Sequence, residues 1–330
     1  RAIIPDWMFS LTNQVYIPFI SPYLRKMLKA YNDLEAISMK AVSRMRADLL
    51  QDSGQKAPEG GALLRNLVQA NENVDEGNRS ENNKRSLTDR ELLSNIFIFF
   101  LAGYETTATA VSFSCALLAL YPEIQQKVFE EVLTLWPEGP PTHGEEKEYK
   151  QCFSNLIYTT AVFYEAIRLR PIVSRLGRKV LKDTILKTYR FTDKDASPGL
   201  SLDIEPITIP LKAGSEVIID VQGVHRNPVY WGSNADEFNP EHFIDSDTYR
   251  WPRDAFLGFS TGHRNCIGQK FGIVEGVCIL SNLIRKYEIL IPADLKDSLR
   301  TFEEQKAYLL EWRPFLANVA VNSRVCLRLR

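Results

Sequence analysis

Cys266 stands in the stretch Phe259-Ser-Thr-Gly262-His-Arg264-Asn-Cys266-Ile-Gly268, which sets a phenylalanine, two glycines and a cysteine at the spacing F-x-x-G-x-x-x-C-x-G. Glycine on either side of the cysteine allows a tight loop and a close approach of backbone to a flat cofactor. The run from Ile267 to Tyr287 has helical periodicity, so the thiol falls at a helix N-terminus. There the positive end of the helix dipole and the unshared N–H groups suit an anionic metal ligand. Arg264 adds positive charge nearby. The other four cysteines, Cys115, Cys152, Cys278 and Cys326, are scattered and read as small buried hydrophobes. Five cysteines without a C-x-x-C pair indicate neither a disulfide framework nor a structural zinc site, and a reducing compartment is the simpler reading.

Three further sets follow the same logic of residue type and spacing. Ala102-Gly103-Tyr104-Glu105-Thr106-Thr107 places an acid beside an alcohol after two small residues. Glu105 and Thr106 make a pair suited to moving protons. Glu165 and Arg168, three apart, share one helix face, an arrangement common on exposed helices and worth only about 0.2–0.5 kcal/mol there. Arg178 lies ten residues beyond Arg168, and Pro240-Glu241-His242-Phe243 precedes the cysteine loop.

With the cysteine loop, these sets stand in the order found in the cytochrome P-450 family, which the chain resembles from about residue 23 to its end. The resemblance implies a haem (heme b, iron protoporphyrin IX) with Cys266 as thiolate ligand, held in a loop that includes Phe259, Gly262 and Gly268. It assigns Arg178 and Arg264 to the haem propionates, a task for which the planar guanidinium fork is suited. Residues 102–107 resemble the family's oxygen-activation segment. Ala102 and Gly103 leave space above the haem, and Thr106 bonds back to the carbonyl of residue 102, opening the helix locally. Glu165 and Arg168 become a structural clamp that in the family is locked by the arginine of a P-E-R-F motif. His242 replaces that arginine here, so the clamp is expected to be weaker or sensitive to pH. Residues 171–176 would line the substrate pocket as a strand, with Ile172, Val173 and Leu176 making it apolar.

The elements that must position these residues are mainly helical. Apolar spacing predicts an amphipathic helix over 23–50, then a polar, solvent-exposed connection over 51–87 around a short apolar island, 63–68. Thr88-Asp-Arg-Glu91 has the form of a capping box. From it one helix of about 33 residues, roughly 50 Å long, runs to Pro122. It is apolar on nearly all sides, which means a large core or a membrane, and Glu105 near its centre decides for the core. Helices are expected over 123–135 and 153–170, a loop between them, a hairpin over 206–221 turning at 211–214, and strands in the last thirty residues. The fold class is mainly α with a small antiparallel β portion.

The 330 residues carry 40 basic and 41 acidic side chains, a balance that offers nucleic acid no attraction. No G-x-G-x-x-G fingerprint for flavin or nicotinamide appears, so electrons must come from a separate partner, by resemblance an NADPH-dependent reductase. Residues 1–330 are read as one partial haem domain, the later two-thirds of a family member. The N-terminal third and its membrane anchor are expected to lie outside this sequence. By resemblance the full-length protein attaches to the endoplasmic reticulum; without an anchor the chain would be cytoplasmic. The leading expectation is a monooxygenase inserting one atom of dioxygen into a small apolar substrate. A reductase-independent isomerase or dehydratase of the same fold and a degenerate, non-catalytic haem-binding protein stay open as alternatives.

Overall fold

A computed structural model describes residues 20–51, 61–72, 87–139, 153–192, 203–314 and 317–330. Cys152, most of the 137–150 loop and parts of the 51–87 connection lie outside the described residues. The chain divides into two compact units, residues 1–102 and 103–330.

In the first unit, helix α1 (Ile20–Gln51) covers the amphipathic stretch. The apolar island expected in an exposed connection is instead a helix, α2 (Ala62–Glu72). Its Val68 is fully buried with Val42, Met45 and Leu92, because an amphipathic turn beside another helix gains more from packing than from solvation. Helix α3 (Asp89–Leu120) starts here and continues into the second unit. Its capping box is formed: the Glu91 amide donates to Thr88 Oγ1 at 3.2 Å and the Thr88 amide to Glu91 Oε2 at 2.9 Å. The Thr88 amide, and the Thr88 hydroxyl donating to the same Oε2 at 2.8 Å, hold the Glu91 carboxyl below the usual carboxylate range. Arg46 and Asn71 both reach Asp89, so a polar knot joins the three helices.

In the second unit the buried run of α3 from Ala110 to Leu120 packs with α4 (Pro122–Leu135), α5 (Ile157–Leu169) and α8 (Gln269–Lys286) in one apolar core. By length and composition α3 could cross a membrane, and only 17% of its most apolar 18-residue stretch is buried; the part that protein covers is the end of the helix, Ala110 to Leu120. Pro122 at the first position of α4 ends α3 without costing a hydrogen bond. Helix α5 has no side-chain cap of its own. Glu131 of α4 supplies one, accepting from the Tyr158 and Thr159 amides at 2.6 and 2.8 Å. Buried Gln125 ties the end of α3 to β5 (Tyr287–Leu290), donating to Leu118 O and Ile289 O and accepting from the Ile289 amide.

The β portion departs from the expected hairpin. Strands β1 (Arg175–Lys179) and β2 (Thr184–Thr192) pair with β4 (Glu216–Asp220) and β3 (Asp203–Leu211) respectively. The 211–214 turn signal is therefore a kink in one arm of a longer hairpin. Gly214, at φ +89°, makes that kink, and its amide bonds Val180 O at 2.8 Å across the arms. Short helices α6 (Val221–His225) and α7 (Pro228–Trp231) follow, capped by Asp220 and Asn227. Two more departures concern the C-terminal region and residues 171–174. After α9 (Ala293–Ser298), the Thr301–Glu304 capping box starts helix α10 (Phe302–Leu309), so the AYLL segment is helical rather than a strand. Strands β6 (Trp312–Pro314) and β7 (Asn318–Ala320) pair, as do β5 and β8 (Cys326–Leu329). Residues 171–174 precede β1 and are not strand. Asn318 holds them from both sides, its amide donating to Ile172 O at 2.7 Å and its side chain to Pro171 O at 2.8 Å. Ile172 is thereby packed into the core, while Val173 is exposed and Leu176 half-buried.

Candidate functional site

The 257–268 loop is folded by its own backbone. The Cys266 amide donates to Phe259 O at 2.8 Å, the Ser260 amide to Leu257 O at 2.9 Å and the Asn265 amide to Gly262 O at 3.1 Å. Gly262, at φ +73°, takes a conformation that a side chain would strain, which is the reason for the first glycine of the motif. Ser260 shares that handedness at φ 61°. Gly268 is the N-cap of α8, and a Cβ there would lie 3.9 Å from Cys266 Sγ. Phe259 leads from this loop into the core, edge-on to Tyr164 and Phe256 at centroid separations of 6.4 and 6.3 Å.

Cys266 is exposed. Close to it in sequence stand Ile267, 86% exposed, and Phe271, 71% exposed. Large apolar side chains beside an open thiol offer a flat apolar group both a ligand and a surface to cover. The residues present fit a haem. By contrast burial pushes the Cys115 thiol up to about 12 and Cys278 up to about 11, which marks both as inert packing groups. Cys326 is exposed on β8.

Two glycines of α8 decide how the thiol's helix meets its neighbours. A Cβ on Gly272 would sit 3.5 Å from Thr107 Oγ1, and one on Gly276 would be 2.4 Å from the Phe163 ring of α5. The first contact sets the N-terminal turn of α8 against α3 beside Glu105 and Thr106, which are half-buried, while Gly103 is exposed. Ala102 is exposed at the end of the first unit. Helix α3 is α-helical through residues 102–107. Arg178 of β1 is exposed and reaches the loop, Nη2 lying 3.4 Å from Ser260 Oγ, and Arg264 is exposed in the turn Gly262–Arg264.

The Glu165–Arg168 pair is not the exposed pair its spacing commonly makes. Both side chains are fully buried, and the guanidinium binds the carboxylate through two bonds, Nε to Oε2 at 2.6 Å and Nη2 to Oε1 at 2.7 Å. Arg168 Nη1 also donates to His225 O and Ala235 O, both at 2.6 Å, and the guanidinium carbon lies 5.0 Å from the Trp231 ring centroid. Such satisfaction is what permits a charge pair without water. His242 joins them: Nδ1 is 3.1 Å from Glu165 Oε1 and 3.4 Å from Arg168 Nη2, and Nε2 meets Asn234 Oδ1 at 3.1 Å. The Asn239 amide adds a bond to Glu165 Oε1 at 2.9 Å. Neither this backbone share of the clamp nor the parts played by His225, Gly272, Gly276 and Glu131 are legible in the sequence. Their signals are tertiary contacts, and only the four-residue spacing of Gly268, Gly272 and Gly276 was there to be read.

The family model for cytochrome P450 matches residues 2–196 and 202–315. Cytochrome P450 monooxygenase 124 of Postia placenta is 32% identical over 290 residues, covering 88% of this chain and 50% of its own length. Cytochrome P450 monooxygenase prx9 of Penicillium rubens is 27% identical over 305 residues, again 88% of this chain and 48% of the relative. The putative cytochrome P450 CYP13A7 of Caenorhabditis elegans is 33% identical over 218 residues, 64% of this chain. The chain spans about half the length of the fungal relatives it matches, rather than the two-thirds expected.

Proposed function

The chain belongs to the cytochrome P450 family, and on that premise we propose that residues 1–330 are the haem-binding part of a monooxygenase, with Cys266 as the thiolate ligand. When bound, the haem supplies the iron-centred redox chemistry by which one atom of dioxygen enters a small apolar substrate and the other leaves as water. The observation that carries the reading is the exposed Cys266 thiol in a backbone-locked glycine loop, on a helix whose next turn abuts α3 at Thr107.

Each remaining residue has a role of its own. The loop from Phe259 to Gly268, with Gly262 at positive φ, fixes where the Cys266 sulfur stands. Arg178 and Arg264, both exposed near that loop, bind the propionates, since the planar guanidinium fork suits a carboxylate. Ala102 and Gly103 keep that stretch of α3 free of bulk. Glu105 and Thr106 hold and pass the two protons that reduction of dioxygen to water consumes, an acid and an alcohol in adjacent positions. Glu165, Arg168 and His242 anchor the protein beneath the loop. Electrons come from a separate NADPH-dependent reductase, and the full-length protein works at the endoplasmic reticulum membrane. No observation favours a reductase-independent isomerase or dehydratase.

The test is the spectrum of the reduced carbon monoxide complex of the full-length protein. Cys266→Ala is expected to lose the red-shifted Soret band given by a thiolate ligand. Retention of that band by the variant removes Cys266 as ligand.

A further inference from the structure

His225, at the end of α6, is fully buried, and the roles given above to the cysteine loop and the clamp leave it unused. Its ring lies between those two structures. Nδ1 is 3.0 Å from the carbonyl of Arg168, and Nε2 is 2.8 Å from the amide of Leu257, the residue at which the cysteine loop begins. A carbonyl only accepts and an amide only donates, so the two contacts together require one tautomer: N–H at Nδ1 and a lone pair at Nε2. Arg168 answers the bond, its Nη1 donating to His225 O at 2.6 Å. The ring stacks on Phe256, the residue before Leu257, at 5.4 Å and an interplanar angle of 14°.

From Leu257 the contact runs on into the loop. Leu257 O accepts from the Ser260 amide, and Phe259 O accepts from the Cys266 amide at 2.8 Å. Gly258 presses against α5, where a Cβ would stand 2.6 Å from the Ile167 side chain, so this entry to the loop has no slack on that side. We propose that His225 is a positioning residue: its neutral ring couples the Arg168 carbonyl to the Leu257 amide and so sets the register at which the 259–268 loop presents Cys266. The proposal rests on the haem–thiolate reading only for its functional consequence; the tie itself belongs to the protein.

Two variants separate the halves of the tie. Asparagine places an amide donor near the position of Nδ1 but leaves Leu257 without an acceptor, whereas glutamine reaches the position of Nε2 with an oxygen that accepts. In the full-length haem protein, amide hydrogen exchange at Leu257 is expected to rise by about tenfold or more in His225→Asn, the loss of one buried hydrogen bond, and to stay near the parent rate in His225→Gln. The red-shifted carbon monoxide band should diminish in the asparagine variant and recover in the glutamine one. Equal protection of Leu257 in parent and both variants overturns the proposal. So does a disturbed exchange pattern with the band unchanged throughout, which leaves a structural tie with no hold on Cys266. A parent without the band, but with the expected exchange pattern, overturns the haem–thiolate reading while the tie stands.

Discussion

The neutral ring of His225 makes the fold less stable in acid. Burial, the largest cause, lowers its basicity from the ordinary histidine value of 6.5 to about 4. The bond to Arg168 O opposes that shift, the Arg168 charge reinforces it, and Glu165 opposes it. The unfolded chain then binds a proton near pH 6.5 that the folded chain refuses until about pH 4. The contribution is complete above 6.5, declines as the pH falls toward 4, and amounts to at most on the order of 3 kcal/mol. Thermal unfolding followed from pH 7 to pH 4 should fall more steeply for the parent than for His225→Gln, which carries no titrating group. Parallel curves would show that the ring is not held neutral. The sequence V-H-R-N-P gives no hint of this, because a lone histidine is identified by what faces its two nitrogens. Cys266 is the opposite case: four residues at fixed spacing made its loop legible, since the turn's needs are local. The Glu165–Arg168 pair lies between, its helix face readable from spacing, its burial not.

At the scale of elements, α8 shows why a glycine can be readable as a letter and unreadable as a contact. Gly268, Gly272 and Gly276 recur every fourth residue and so share a face, yet each serves a different neighbour: Cys266, Thr107 and Phe163. The distances rank them. At Gly276 a Cβ would overlap the Phe163 ring at 2.4 Å, whereas at Gly272 it would reach ordinary contact at 3.5 Å. Gly276→Ala should therefore destabilise the chain by about 1–3 kcal/mol through overpacking, while Gly272→Ala stays within about 0.5 kcal/mol. Urea midpoints at unchanged slope would measure both, and equal midpoints for the two variants would refute the assignment of Phe163 as the obstacle. Elements set by local signals were legible: the Thr88–Glu91 box, the start of α4 at Pro122 and the period of α8. Elements set by remote partners were not. The turn at Gly214 belongs to a long hairpin whose pairing is fixed across 175–192 and 203–220, and the AYLL segment took its helix from a capping box upstream.

For the whole molecule, the mainly helical class followed from period and composition, while the division at residue 102 did not, because it falls inside α3, where the sequence shows no break. The two units have unequal cores. The first buries Val42, Met45, Val68 and Leu92 as one small cluster. The second buries a continuous core drawn from α3, α4, α5, α8 and the C-terminal segments, reinforced by Gln125, Glu131 and Asn318 bonding to backbone across elements. Opening free energy follows the apolar area and bonds that each opening must expose. Amides of α1 and α2 should thus exchange through local opening well before those of α5 and α8, which should exchange only with global unfolding. Polar ties from Arg46 and Asn71 to Asp89 do not alter that order, since partly exposed pairs contribute little. Native-state exchange across a denaturant series gives the check: α1 and α2 should show a shallow slope at low denaturant while α5 and α8 track the global transition. One common steep slope for all four helices would mean that the small cluster folds as a single cooperative body with the large core.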